Sequence, residues 1–389
     1  MIIIKDQKVP LLVFADPKEL EETCLRQAKN MANLPSAYHH VALMPDAHLG
    51  YGMPIGGVLA LEGAICPNAV GVDIGCGMAY VGTDIPIEKI KMNDLERFVN
   101  QIRREIPIGF GVYDQPQPGT LFLRKELLPP ELEREVDRAQ RSLGSLGGGN
   151  HFVDLLKDEQ SQAALMVHTG SRHFGYAVAS LFHQMAKKQC YHKGLDLPDY
   201  DLAYFDSKTP EAEAYIEAME MAMEFAQKNR QVILAKAKRV LEEIFGSVNF
   251  SETINVHHNY AACEIHFGKQ VWVHRKGAIR AGKGEAVIVP GSLGTPSYLG
   301  TGLGNKDSFS SCAHGAGRSM GRNEAKKKYS PQMVLADIEN RGVVLGKVKK
   351  GNIAEESPWA YKDIEKVIRN QEQLAKMEIK LTPIAVVIG

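Results

Sequence analysis

The stretch NAVGVDIGCGM, residues 68–78, sets a carboxylate and a thiol three positions apart in a run that is otherwise small, apolar and glycine-rich. Glycine tolerates backbone angles closed to other residues, so DIGCG can fold tightly enough for Asp73 and Cys76 to reach one point. Cys76 is then a core thiol, half of a disulfide, a nucleophile or a metal ligand. Taken alone, the motif fits a buried cysteine beside a turn aspartate, because free cysteine is among the most buried residue types.

Four further stretches widen the choice. SLGGGNHFVDLL, residues 145–156, leads three glycines into Asn150 and His151 at a strand entrance, where backbone amides can cradle a phosphate beside an imidazole. LMVHTGSRHFG, residues 165–175, ends an apolar strand at His168 and follows it with the donors Thr169, Ser171 and Arg172. INVHHNYA, residues 254–261, holds adjacent His257 and His258, which point to opposite faces if extended, so only one of them can face a shared site. SCAHGAGR, residues 311–318, surrounds His314 with small residues and ends in Arg318, a candidate bidentate clamp on phosphate. A histidine held there suits a general base or a nucleophile, and a glycine-rich turn with a surface histidine explains it equally well. Each of His151, His168, His257 and His258 alone reads as structural. Several of them at separate strand ends, with a Cys and an Asp, make the donor set of a divalent transition metal.

The elements that must position these groups follow from pattern. HVALMP, GGVLAL, GMAYVG, AALMVH, KQVWVH and EAVIVP read as strands that end at, or lead into, three glycine blocks at residues 50–77, 144–175 and 277–317. Helical patterns occupy 86–106, 130–142, 211–245 and 362–379. Strands and helices do not alternate regularly, which predicts an α+β fold, and no linker or repeat interrupts it, so residues 1–389 are expected to form one domain.

Lys plus Arg equals Asp plus Glu at 46 each, which excludes a protein that holds nucleic acid mainly by overall basic charge but leaves a local patch open. Lys228, Arg230, Lys236, Lys238 and Arg239 give the long helix a basic stretch, read as a solvated face in preference to an RNA-facing one. The six cysteines form no CxxC pair, MIIIKDQKVP has no leader-like apolar core and no run approaches membrane-spanning length. Free thiols or metal ligands, and a cytoplasmic location, are expected.

Taken together, DIGCG, GGGNHF, HTGSR, HHNY, PGSLGTPSY and SCAHGAGR, with MPDAHLG near residue 46 and AYKDI near residue 361, resemble the RtcB RNA ligase family in order and approximate spacing. The resemblance runs from about residue 40 to the C-terminus. It implies a single α+β domain around a deep metal cleft. It also implies a ligase that joins RNA 3'-phosphate or 2',3'-cyclic phosphate ends to 5'-hydroxyl ends with GTP and two manganese ions, in RNA repair or tRNA splicing.

By motif position, Cys76, His168 and His258 would hold one ion, and Asp73, Cys76 and His151 the other. His314 would attack GTP to form a covalent histidine-GMP, Asp46 would orient its ring, and Arg318, Asn150 and Asn259 would orient oxygens. The nucleotide would also meet Asp154, Pro290, Gly291, Ser292, Leu293, Ser297, Gly315, Ala316, Gly317 and Tyr361. Softness of the donors alone leans towards zinc; the resemblance points to manganese.

Two positions depart from the family pattern. Asp154 stands where the family has Glu against the guanine edge, and the chain ends VVIG, with Ile388 where the family has Lys near the guanine O6. Relaxed preference for GTP is therefore expected, unless Tyr361, Ser297 and the backbone of residues 290–293 suffice. The alternatives are a two-metal RNA cyclic-phosphate phosphoesterase, which has no use for a nucleophilic histidine, and a non-catalytic RNA-end-binding protein, which has no use for either set. The RNA substrate, any need for an activating protein and the oligomeric state are not legible.

Overall fold

The computed structural model describes residues 1–118, 125–346 and 353–389. Two large sheets form its core. The first runs Ile2–Ile4, Leu11–Val13, Ala37–His48, Ile55–Leu61, Lys269–Lys276 and Asn259–His266 from edge to edge. Only the Leu11–Val13 and Ala37–His48 pair is parallel. Its side chains alternate as a two-residue period demands: Leu11, Val13, Val41, Leu43, Leu59 and Leu61 join one apolar cluster, and Leu12, Ala42, Met44, Val58 and Ala60 another.

The second sheet runs Ile254–His257, Gly77–Pro86, Gln162–Thr169, Phe152–Lys157, Ala375–Ile388, Ser297–Gly302 and Ala286–Val289, with Val344–Leu345 added in parallel to Ala375–Ile388. One face packs Ala79, Val81, Val153 and Val167 against Phe98, Ile102, Ile233 and Leu241 of two helices. Across the other face Met78 and Met166 meet Ile288, Leu299 and Leu381 of the far strands, so the sheet curls over itself. Burying each such side chain is worth about 1.5–3 kcal/mol, which fixes register firmly.

The helix Pro210–Phe245 joins the two halves. Thr209 caps it by accepting from the Ala212 N–H, Pro210 opens it, and Gly246 with φ of 84° ends it. Its Tyr215, Ala218, Ala222 and Phe225 belong to the cluster under the first sheet, whereas Ile233, Leu234, Ala237 and Leu241 belong to the one under the second.

The α+β expectation holds, and each of the six strand readings falls on an observed strand. Two assignments change. The last helix covers only Ile364–Asn370, and Ala375 to Ile388 is a strand whose central position between Phe152–Lys157 and Ser297–Gly302 overrides the helix-forming Lys and Glu residues. Residues 172–175, the end of the second glycine block, begin the helix Arg172–His192, which the helical patterns did not include. Gly175 is there for packing: a Cβ on it would lie 1.9 Å from Ser171 Oγ. Among the described residues no helix is long and apolar enough to cross a membrane, and all six cysteines are free.

Candidate metal and nucleophile site

The two sheets meet where the chain leaves strand Ile254–His257, passes through His258 and enters strand Asn259–His266. Pairing brings the other ligand candidates to that seam. Gly77, next to Cys76, pairs with both Thr169 and His257, while His168 pairs with both Met78 and Phe152, the residue after His151. The His258 N–H donates to the Cys76 carbonyl at 2.8 Å, and the His258 carbonyl accepts from the Ala278 N–H at 3.1 Å. Asp73 completes the group from the loop, and Gly170 makes room for it, since a Cβ there would lie 2.2 Å from Asp73 Oδ1.

The result is two triads sharing one sulfur. The potential ligand atoms of Cys76, His168 and His258 lie within 4.8 Å of one another, as do those of Asp73, Cys76 and His151. Cys76 Sγ is 3.4 Å from His168 Nε2 and 3.5 Å from His151 Nε2, which is itself 3.1 Å from Asp73 Oδ2. His168 Nδ1 donates to the Asn150 carbonyl at 2.9 Å, and His151 Nδ1 to that of Leu146 at 3.1 Å. Each ring is thereby turned to offer Nε2, the arrangement that orients imidazole ligands in metal sites.

Burial lowers His168 and His258 well below the ordinary imidazole value, so both are neutral. Burial, aided by Asp73, pushes the Cys76 thiol up, and burial opposes ionisation of Asp73, whose carboxyl is nevertheless held low by His151 and Arg172. His258 Nδ1 is buried without a hydrogen-bond partner. A thiol and an unpartnered imidazole nitrogen kept from water are the groups a divalent cation satisfies, so the donor set fits a metal.

Beside the triads stands His314, its ring centroid 4.8 Å from that of His258. It follows strand Ser311–Ala313, which pairs with Ala278–Arg280, and Asp46 reaches it from strand Ala37–His48. The fully buried Asp46 accepts from His314 Nδ1 at 2.6 Å and from the His314 backbone N–H at 3.1 Å. With the proton on Nδ1, Nε2 keeps its lone pair. The Asp46 carbonyl accepts in turn from His48 Nδ1 at 2.9 Å, and burial pushes His48 down to about 4.

From His314 and His168 a cleft opens, with about 930 Å³ of empty space including its mouth. Asn150, Asp154, Ser297, Tyr361, residues 290–293 and residues 315–318 all line it, together with Ile388. Asp73, Cys76, His151, His258 and Asn259 lie at its inner end, outside the lining. Asn259 acts as a fastener: its Nδ2 donates to the Asp73 carbonyl at 3.1 Å and its Oδ1 accepts from the Gly277 N–H at 2.7 Å. Arg318 donates to the Met320 and Glu355 carbonyls at 3.1 and 2.7 Å and to Tyr361 Oη at 3.2 Å, bracing one wall of the cleft.

Glu356 joins that wall unforeseen. It is buried, lies 3.6 Å from both Arg318 and Arg322, and accepts from the Tyr361 hydroxyl. Its signal was proximity, five residues ahead of Tyr361 in AEESPWAYKDI. His173 sits apart, 3.3 Å from Glu135, and His257 points to the other side of its strand, towards Gly75 and Arg230. Arg230 is neither a solvated nor an RNA-facing residue, because it is fully buried behind the ligands.

Comparison with known proteins places the chain in a family. Residues 27–128 and 123–389 match the family model described as tRNA-splicing ligase RtcB. The chain is 35% identical to the RNA-splicing ligase RtcB of Escherichia coli (strain K12), with 100% of this chain and 99% of that protein aligned. It is 34% identical to the tRNA-splicing ligase RtcB of Pyrobaculum aerophilum, over 98% of this chain and 95% of that one. Against the RNA-splicing ligase RtcB of Mycobacterium tuberculosis the identity is 32%, over 93% and 100% of the two chains.

Proposed function

Because this chain belongs to the RtcB family of tRNA-splicing ligases, we propose that it is an RNA ligase. It joins RNA 3'-phosphate or 2',3'-cyclic phosphate ends to 5'-hydroxyl ends, using GTP through a covalent histidine-GMP. Residues 1–389 act as one catalytic unit, in the cytoplasm, in RNA repair or tRNA splicing. The observation that carries this reading is the contact between the buried Asp46 carboxylate and His314 Nδ1, 2.6 Å long, beside the two triads.

Asp46 keeps the proton on Nδ1, so the Nε2 lone pair attacks the α-phosphorus of GTP. A P–N bond forms, the bond to pyrophosphate breaks, and the positive charge on the ring is balanced by Asp46. GMP then passes to an oxygen of the RNA 3'-phosphate, freeing His314. Attack by the 5'-hydroxyl oxygen forms the new phosphodiester and expels GMP.

Cys76, His168 and His258 would hold one manganese ion, and Asp73, Cys76 and His151 a second. When bound, the ions supply positive charge that offsets the negative charge developing on phosphate oxygens. Arg318 keeps Tyr361 and Glu356 in place along the nucleotide. Asn150, Asp154, Ser297, residues 290–293 and residues 315–317 surround it.

The test is intact mass after incubation with manganese and each nucleoside triphosphate. Wild type is expected to gain a nucleotidyl mass with GTP, and His314→Ala to gain none with any. Absence of an adduct in wild type would sink the ligase mechanism and favour a phosphoesterase or an RNA-end-binding protein.

A further inference from the structure

At the changeover of the helix Pro210–Phe245 between its two apolar clusters stand Asn229 and Arg230, both fully buried. Neither belongs to a triad, yet their hydrogen bonds run to every loop that carries a ligand. Asn229 Oδ1 accepts from the Gly144 N–H at 2.6 Å, and its Nδ2 reaches the carbonyls of Ser145 and Gly170 at 3.1 and 3.2 Å. Those two segments lead to His151 and away from His168.

Arg230 Nη1 donates to the carbonyls of Gly75 and Thr169 at 2.8 and 2.9 Å, next to Cys76 and His168 respectively. Its Nε donates to Asn255 Oδ1 at 2.7 Å, and its Nη2 lies 3.0 Å from His257 Nδ1, on the strand that ends at His258. A buried guanidinium is expensive to desolvate. Here the donors of one side chain fix three separate segments at once, a task that Lys, with a single compact ammonium, cannot reproduce.

We propose that Asn229 and Arg230 are positioning residues for the two triads. Arg230 sets Cys76, which both triads share, together with His168 and His258, and Asn229 sets the loop that brings His151 to Asp73 and Cys76 while bracing the Thr169–Gly170 turn after His168. The proposal rests on the metal reading above. Groups that orient ligands from behind typically change metal affinity by about 10–100-fold when altered.

Metal-free full-length protein is titrated with Co2+ alone, following stoichiometry, visible absorption and the near-ultraviolet thiolate-to-cobalt band, with thermal midpoints of the metal-free proteins alongside. Wild type is expected to take up two ions. Arg230→Lys should weaken both about 10–100-fold and diminish the thiolate band, with the thermal midpoint of the metal-free protein unchanged. Asn229→Ala should weaken mainly one ion by a similar factor and leave most of that band. Both variants keeping two ions at wild-type affinity would overturn the proposal. So would loss of both ions in step with a fall in thermal midpoint, since that is general destabilisation. Wild type that takes up no cobalt overturns the metal reading, and this proposal with it. If Arg230→Lys does not fold, Asn255→Ala removes the acceptor of the Arg230 Nε–H together with the longer bond from Asn255 Nδ2 to the Gln227 carbonyl at 3.3 Å, and an unchanged thiolate band in that variant counts against the assignment.

Discussion

At the inner end of the cleft, His168, His151 and His314 each have one ring nitrogen held by an oxygen, at 2.9, 3.1 and 2.6 Å. At the outer end Asp154 is buried with Oδ1 unpartnered, and beside it Ile388 offers no polar atom at all. The rings of the first region are aimed by bonds from several elements, even though His258 Nδ1 there has no partner among the described residues. In the second, none of the described residues holds the buried carboxylate oxygen. A site built this way can keep its chemistry while its choice of base drifts, because a change at the outer end disturbs none of the bonds that aim the inner one.

That contrast can be broken most decisively at Cys76. Cys76→Ala removes the one atom common to both triads, so nucleotidyl transfer to His314 should fall below detection while circular dichroism stays that of the wild type. Transfer at wild-type rate would show that the triads are not part of the chemistry. Asp46→Ala should come next: without the carboxylate the ring loses its tautomer and its charge partner, and the rate of adduct formation should drop about 10²–10⁴-fold. Full guanylylation in that variant would leave Asp46 without the role assigned to it.

Changes at the outer end should be milder and fall on selectivity. Ile388→Lys places a donor where an apolar side chain now stands, and should raise the preference for GTP over ATP by about 1–3 kcal/mol. A strict GTP-only adduct in wild type at low nucleotide concentration would count against relaxed specificity. Smallest is a pH effect. Burial raises the Asp154 carboxyl well above its ordinary value of 3.8, so it holds its proton further up the pH scale when the cleft is free of nucleotide. N–H donors of a base favour the ionised form, so nucleotide affinity should rise with pH through that raised value, and Asp154→Asn should flatten the rise. A profile of the same slope in both proteins would remove Asp154 from base recognition.

Much of the inner end was legible because its chemistry is local. DIGCG, GNH and AHGAG each put a donor beside glycines, and strand alternation correctly allowed only one of His257 and His258 into the site. What stayed hidden depends on burial, which residue type does not announce. Arg230 looked like one more charge on a basic helix, yet it lies behind the ligands with its donors turned to neutral acceptors. The strand from Ala375 to Ile388 was half obscured for a related reason. Lys and Glu on its exposed positions favour helix by propensity, and only the neighbours on both sides decide the matter.

The passage of the chain through His258, from the edge of one sheet to the edge of the other, makes that residue a seam as well as a ligand. An ion drawn to Cys76, His168 and His258 would add a tie between the two sheets at this crossing, beside the one the helix Pro210–Phe245 already makes. Loading would then show as mechanical cohesion, with amide exchange slowing most along residues 254–261 and a higher thermal midpoint.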